Sequence, residues 1–270
     1  MNKKFLHKIN SYFAEGIDKS YKAGIKSIVE LNKKNKDFAD KPGRLFKIDY
    51  SRADKNAIRN FKLEAFTVAG IGSYDLEEEI KKIAVEYQEG NIDKDEFELQ
   101  TRNKMMEYGI GLGDQPPTGW LETNLNTAIT SSISAARWNR LNDPDVTDLY
   151  PALQYNTQRD DRVRPEHEKL DGLTLMKDDP MWDTIYPPND WNCRCYTTPI
   201  GVDEMDGYDV ADPTEPQRED YKNDVAPDFR RNSAMEESIW GKWVNSQLKD
   251  MPERETVQLR SALREYGKKL

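Results

Sequence analysis

The chain has 270 residues, of which 36% are hydrophobic and 33% are charged, and its formal net charge at pH 7 is −9. This length fits one large or two ordinary domains, and the polar composition favours elongated helical parts over a single large core. No apolar run is long enough to span a membrane, and residues 1–13 are too interrupted by polar residues for a signal peptide, so we expect no membrane partner. The two cysteines are separated by one residue and make no disulfide framework, which favours synthesis in a reducing cytoplasm.

The charge is unevenly distributed along the chain. Residues 1–36 are rich in lysine and have a local balance of +6, whereas residues 203–228 are rich in aspartate and glutamate and have a balance of −8. Opposite charges on two parts of one chain suggest docking between neighbouring subunits or onto a large partner. The alternative is that both segments are solvated faces without a partner.

The first predicted element is a long amphipathic helix. Apolar residues recur at helical spacing from Phe5 to Ile28, and the opposite face consists mostly of lysine. This periodicity predicts a helix from residue 3 to about residue 36. The helix breakers at residues 41–43 follow it.

Three shorter helices are predicted next. Ser51 followed by Asp54 has the form of a capping box and begins a helix that we expect to end near Gly70. A second helix is predicted from residue 75 to residue 90. The third is capped by an aspartate and extends over residues 93–108.

A linker rich in glycine and proline occupies residues 109–117. It is not a phosphate-binding loop, because no strand precedes it and no Gly-Lys-Ser/Thr follows it. Thr118 then begins a long helix that ends before Pro144. The polar face of this helix carries Thr, Asn and Ser rather than charged residues, which indicates packing against other protein.

The predicted fold class is α+β and mainly α, with long amphipathic helices flanking a small compact α+β module. We divide the chain into a helical N-terminal region (1–115), a core module (116–200), an acidic arm that contains prolines (201–232), and C-terminal helices (233–270). The arm is expected to be an extended segment or a loop, and the two C-terminal helices are expected to begin at Ser233 and Pro252.

The core module contains both cysteines and one of the two histidines. Residues 192–198 end in aromatic and β-branched residues and predict a strand. In a strand, Cys193 and Cys195 would share a face, with Cβ atoms about 6–7 Å apart. A disulfide needs about 3.5–4.5 Å between these atoms, so joint ligation of a metal ion fits more easily.

His167 is the natural third ligand. Pro165 at a first helical position predicts a short helix that carries His167 and, one turn later, Asp171. Asp171 is the preferred fourth ligand, and Asp161 is the other candidate. One histidine, two cysteines and a carboxylate form a plausible zinc site. The alternative is a buried cysteine pair with His167 hydrogen-bonded to a carboxylate.

The same module is rich in arginine. Arg162 and Arg164 precede Pro165 in a segment that should be extended. Guanidinium groups bind carboxylates and stack on indoles. Both kinds of partner are present in Trp182, Trp191, Asp183 and Asp190. We interpret the arginines as a salt-bridged clasp that joins the two halves of the module; the alternative is an anion-binding site.

This ordered set of residues resembles the phage Mu F-like minor head proteins, a family of head morphogenesis proteins of tailed bacteriophages. The resemblance covers about residues 120–200. The positions that carry it are Thr157, Asp160 or Asp161, Arg162, Arg164, Pro165, His167, Leu170, Asp171, Gly172, Pro187, Pro188, Asn189, Trp191, Cys193, Arg194, Cys195 and Pro199.

The resemblance implies a structural role rather than an enzymatic one. Family members are minor capsid components that bind the portal, enter the procapsid in few copies, assist head assembly and, in some cases, help to retain or deliver the genome. The implied partners are the portal protein and capsid or scaffold components, and the lysine-rich first helix could touch packaged DNA. The implied location is the virion, at the head interior or portal vertex, after assembly in the cytoplasm of the host bacterium.

The alternative function is a metal-dependent enzyme or a toxin-like effector delivered with the phage particle. Residues 167–171 differ by one residue from the metalloprotease pattern His-Glu-x-x-His, because Asp171 stands where the second histidine is required. The sequence contains no Gly-x-Ser-x-Gly motif. We therefore predict that the protein is not an enzyme.

Overall fold

Long helices make up most of the computed structural model, which describes residues 3–34, 47–108, 119–235 and 248–270. None of the helices in these ranges is long and apolar enough to cross a bilayer. The predicted linker at 109–117 and the predicted helix that begins at Ser233 lie largely outside the described residues. The first four helices are α1 (Lys3–Lys34), α2 (Arg52–Gln88), α3 (Lys94–Glu107) and α4 (Gly119–Leu141).

Helix α1 confirms the amphipathic pattern of the first segment, since its apolar row from Phe13 to Ile28 is completely or almost completely buried. It packs mainly against α4 and also against α2. A Cβ atom added to Gly24 would lie 2.6 Å from the backbone oxygen of Ile133, so the α1 and α4 backbones approach closely at this point. The buried row of α1 consists of Phe13, Ile17, Tyr21, Ile25 and Ile28.

The polar face of α4 is buried against other parts of the same chain, which confirms the packing that the sequence indicates. Asn124, Thr127, Ser131 and Ser132 are all buried. The Thr127 and Ser132 hydroxyls donate hydrogen bonds to backbone oxygens one turn earlier in the helix. Small hydroxyl side chains that bond to their own helix leave room for a close neighbour.

Helix α2 corrects the prediction of two separate helices, one from the Ser51 capping box to near Gly70 and one over residues 75–90. The predicted capping box is confirmed, because Ser51 and Asp54 bond reciprocally at the N-terminus. The helix then continues without a break through Gly70. A Cβ atom at Gly70 would overlap the side chain of Leu259 in the last described helix, Glu253–Gly267, here named α8. Gly70 therefore accommodates a neighbouring helix and does not end its own.

The core module is built on a three-stranded antiparallel sheet with the order β2-β1-β3. The strands are β1 (Ala152–Asn156), β2 (Thr174–Met176) and β3 (Tyr196–Ile200). Single helical turns, α5 (Pro165–Glu168) and α6 (Trp182–Ile185), lie in the connections before β2 and β3. The predicted class, α+β and mainly α, is confirmed.

The acidic arm is partly helical, which corrects the prediction of an extended segment or a loop. It contains a 3-10 helix (Val202–Gly207) and a two-turn helix α7 (Glu215–Asn223). The Ala211 amide donates to the Thr174 carbonyl at 2.9 Å, and the Arg218 guanidinium binds both carboxylate oxygens of Asp179 at 2.6 and 2.9 Å. These bonds hold the arm against the core module, because buried or partly buried charges and backbone groups require partners.

Candidate functional site

Cys193 and Cys195 lie in an irregular segment just before β3, which corrects the prediction that they belong to a strand. Asn192 has a φ of 55°, a left-handed conformation that asparagine tolerates better than most residues. This turn ends regular pairing, so the two-residue periodicity of a strand does not apply. The two thiols nevertheless converge, since each Sγ lies 3.7 Å from Nδ1 of His167.

His167 is presented by α5, in which Pro165 occupies one of the first helical positions, as the sequence predicts. The His167 side chain and both cysteines are buried. The Nδ1 or Nε2 atom of His167 and the two Sγ atoms all lie within 4.8 Å of one another. The structure therefore brings together three of the four predicted metal ligands.

Asp171 does not belong to this cluster. Helix α5 ends after one turn, so Asp171 does not share a helical face with His167. The Asp171 carboxylate accepts hydrogen bonds from the Thr157 amide at 2.7 Å and from Nε of Arg159 at 2.8 Å. The other candidate, Asp161, is exposed and also lies outside the cluster of three.

The two cysteines have different electrostatic environments. A hydrogen bond from Cys195, together with the proximity of His167, lowers the pKa of the Cys193 thiol against the effect of burial. The Cys193 sulfur and burial both raise the pKa of the Cys195 thiol. The two sulfurs therefore act on each other, and the two thiols titrate as a pair.

Arg164 forms part of a salt-bridged clasp, as predicted, and Arg194 takes the place that was predicted for Arg162. Arg194 binds Asp160 through two hydrogen bonds of 2.7 and 2.6 Å. Nε of Arg164 lies 3.0 Å from the Asp190 carboxylate, and the same guanidinium donates to the Trp191 carbonyl at 2.8 Å. We call Asp160, Arg164, Asp190 and Arg194 the arginine clasp; it joins the segment after β1 to the segment before β3.

Two details of the predicted clasp differ in the structure. Trp182 lies in the core, where its Nε1 donates to the Met176 carbonyl, and the ring of Trp191 meets Phe229 of the acidic arm edge to face, with centroids 5.4 Å apart. Arg162 is exposed and lies 3.6 Å from Asp160, so it stands at the margin of the clasp. The indole of Trp191 therefore attaches the arm to the module, while the backbone carbonyl of Trp191 accepts a hydrogen bond from Arg164 of the clasp.

Asn189 is a structural residue whose role sequence reasoning missed. It is completely buried, its Nδ2 donates to the Ile185 carbonyl at 3.0 Å, and its Oδ1 accepts from the Tyr155 hydroxyl at 2.8 Å. Its backbone oxygen accepts from the Ala226 amide of the arm at 3.1 Å. The signal was present in the sequence, because a polar residue stands directly after two prolines.

The clasp should make stability depend on acid pH. Arg194 holds the pKa of Asp160 at about 2, below the ordinary value of 3.8. A carboxylate whose pKa is lowered by folding adds stability above its ordinary pKa, and this contribution is lost as the pH falls towards the folded value. We expect the melting temperature, measured by circular dichroism, to fall between pH 4 and pH 2, and Asp160→Asn to melt lower at neutral pH with a shallower acid decline.

The matched control is Asp161→Asn, which removes an exposed neighbouring carboxylate outside the clasp. This variant should follow the wild-type profile. An Asp160→Asn profile that coincides with the wild type over the whole pH range would contradict the assigned role of the clasp.

Comparisons with known proteins point to one phage family. Residues 56–198 match the family described as "Phage Mu protein F like protein". The "Putative capsid assembly protein F" of Escherichia phage Mu is 38% identical over 85 residues, which are 32% of this chain and 19% of that protein. The "Mu-like prophage FluMu F protein" of Haemophilus influenzae is 40% identical over 75 residues, which are 28% of this chain and 18% of that protein. The matched segment thus spans about a fifth of the length of these relatives.

The family match includes the residues that define the core module. It extends from α2 to the middle of β3 and contains His167, both cysteines and the whole arginine clasp. No solved structure shows a significant match to the chain. The matched residues amount to more than half of the chain, so this protein belongs to the Phage Mu protein F like family.

Proposed function

We propose that this protein is a minor structural component of a phage head that binds the portal and assists head assembly. The observation that carries the proposal is the family match over the core module, in which the distinctive residues bind one another. One relative is named as a capsid assembly protein, which favours a structural role over a metal-dependent enzyme or a toxin-like effector. The proposed location is the virion, at the head interior or portal vertex, after assembly in the bacterial cytoplasm.

Charged surfaces offer the most suitable contacts with the portal. The apolar row of α1 is buried against the chain's own helices, so it is not available to a partner. Lysines on the opposite face of α1 are exposed, among them Lys19, Lys22, Lys26 and Lys33. An association through such residues is steered by charge and weakens as salt screens it.

The proposal is tested by co-expression with the portal protein of the same phage, followed by size-exclusion chromatography. We expect co-elution at low salt and a smaller co-eluting fraction at moderate salt. The double variant Lys22→Glu/Lys33→Glu should reduce co-elution, whereas the control Lys55→Glu/Lys249→Glu, with the same change in charge on exposed residues of other helices, should not. Separate elution of the two wild-type proteins at both salt concentrations would contradict the proposal.

Packaged DNA is the second partner to consider for the lysine face of α1. A mobility shift of short duplex DNA distinguishes this partner from the portal. Binding that is lost in Lys22→Glu/Lys33→Glu, together with unchanged portal co-elution, would assign the lysine face to DNA. In either case the contact involves the exposed side of α1.

A further inference from the structure

The cluster of His167, Cys193 and Cys195 has the dimensions of a tetrahedral metal site. Zinc bonds of about 2.3 Å to sulfur and about 2.0–2.1 Å to nitrogen, at a tetrahedral angle, place sulfur and nitrogen about 3.6 Å apart. Both Sγ atoms lie 3.7 Å from Nδ1 of His167. The three side chains therefore reach a common centre without rearrangement of the backbone.

The kind of ligand selects the kind of metal. Thiolate sulfur favours borderline-soft and soft ions, and imidazole suits zinc, whereas calcium and magnesium require oxygen ligands. Cys193 and Cys195 are the only cysteines of the chain, so every thiol in the sequence lies in this cluster. Both are reduced and buried.

A small cavity beside the cluster has room for a fourth ligand. A cavity of about 20 Å³ is lined by His167, Cys193 and Cys195 together with Gln158 and Arg164. This volume accommodates about one water molecule, which needs roughly 10–15 Å³ by the same measure. Within the described residues, no carboxylate joins the three ligands, so solvent is the available fourth donor.

We infer that His167, Cys193 and Cys195 bind one zinc-class divalent ion, with a water molecule in the fourth position. Binding releases the thiol protons, since thiolates are the ligands. The bound ion connects α5 to the segment before β3. Its ligands His167 and Cys193 are 26 residues apart in the sequence. It acts beside the arginine clasp, which joins the same two segments from the solvent side.

Residues around the cluster are placed to support a charged centre. Asn189 lies beside Cys193, and Tyr155 lies beside Cys195. Outer contacts of this type orient metal ligands and adjust their basicity. Asn189 and Tyr155 also bond to each other at 2.8 Å, so the support forms one connected network.

The test uses the full chain, freed of metal with a chelator and then titrated with Co²⁺ or Zn²⁺ alone. We expect one equivalent to bind, with the visible absorption of tetrahedral cobalt and the ultraviolet charge-transfer bands of thiolate ligands, and the melting temperature to rise. Cys193→Ser should weaken the thiolate bands, because only Cys195 remains as a thiolate ligand, and should bind at least ten-fold more weakly. The controls Asp171→Asn and Glu168→Gln should keep the stoichiometry and the spectrum, because both carboxylates lie outside the cluster.

A folding failure of Cys193→Ser does not leave the inference undecided. Titration of the zinc-loaded wild type with an organomercurial should release one ion as the two thiols react. Binding far below one equivalent in the wild type, or equal binding without thiolate bands in wild type and Cys193→Ser, would overturn the inference. The cluster would then be a hydrogen-bonded thiol–imidazole group of the core.

Discussion

Replacing Trp182 with alanine is expected to lower the free energy of unfolding by about 3–5 kcal/mol, the usual range for a fully buried tryptophan. Trp182 is completely buried, and its Nε1 donates to the Met176 carbonyl at 2.9 Å. Its ring also meets Tyr186 edge to face, with centroids 6.2 Å apart. The substitution therefore opens a cavity and removes one of the two hydrogen bonds that the Met176 carbonyl accepts, the other being donated by the Asp179 amide.

Chemical denaturation followed by circular dichroism measures this loss. Trp182→Phe retains most of the apolar volume and should recover more than half of the loss. Tyr196→Ala is the surface control, because Tyr196 is 40% exposed at the start of β3, and its effect should stay within about 0.5 kcal/mol. A Trp182→Ala protein as stable as the Tyr196→Ala protein would show that α6 does not pack as described.

Gly24→Ala should have the second largest effect, because it separates α1 from α4. The new Cβ atom would lie 2.6 Å from the Ile133 backbone oxygen and 2.7 Å from the Ala136 Cβ atom, and neither can move without moving the helix. Overpacking of this kind costs about 1–3 kcal/mol. It outweighs the gain of about 0.5–1 kcal/mol that alanine normally brings to a helix interior.

Gly16→Ala is the matched control on the same helix. Its Cβ atom would meet the tip of Leu125 at 3.3 Å, a side chain that can shift. We expect Gly16→Ala to be neutral or to stabilise by up to about 1 kcal/mol through helix propensity. The two variants should therefore change the denaturation midpoint in opposite directions, and equal midpoints would contradict the close approach at Gly24.

Local signals predicted the helical part of the fold well. The apolar row of α1, the capping box at Ser51 and the N-cap at Asp93 each act within a few residues, and all three are present in the structure. Signals of this type depend on helical spacing and on backbone hydrogen bonds at helix ends, both of which can be read directly from sequence. Helix α3, which begins after Asp93, also ends at Glu107 as expected.

The errors arose where a distant segment decides the structure. A glycine such as Gly70 usually indicates a helix end, but here it makes room for Leu259. No local pattern reveals a neighbour so far along the chain. Asp171 lies at helical spacing from His167, but α5 ends first and Arg159 and Thr157 bind its carboxylate. Predictions from spacing fail when the assumed helix is shorter than the spacing.

The cysteine cluster shows a correct placement reached by an incorrect route. The sequence argument assumed a strand at residues 192–198, whereas Cys193 and Cys195 precede β3. Convergence of the sulfurs depends instead on the turn at Asn192 and on α5, which brings His167 from the other segment. The sequence shows which residue types are concentrated here, but only the tertiary fold shows which of them meet.

The order in which helices α1 and α4 are synthesised has a consequence for the nascent chain. Residues 35–118 must be translated after α1 before α4 begins, which takes on the order of ten seconds at bacterial rates. During that interval α2 is the only earlier partner for the apolar row from Phe13 to Ile28 among the described helices, and the close contact at Gly24 has no counterpart. Transiently exposed apolar surface makes a chain prone to aggregation, so the apolar row of α1 is most vulnerable before α4 has been synthesised.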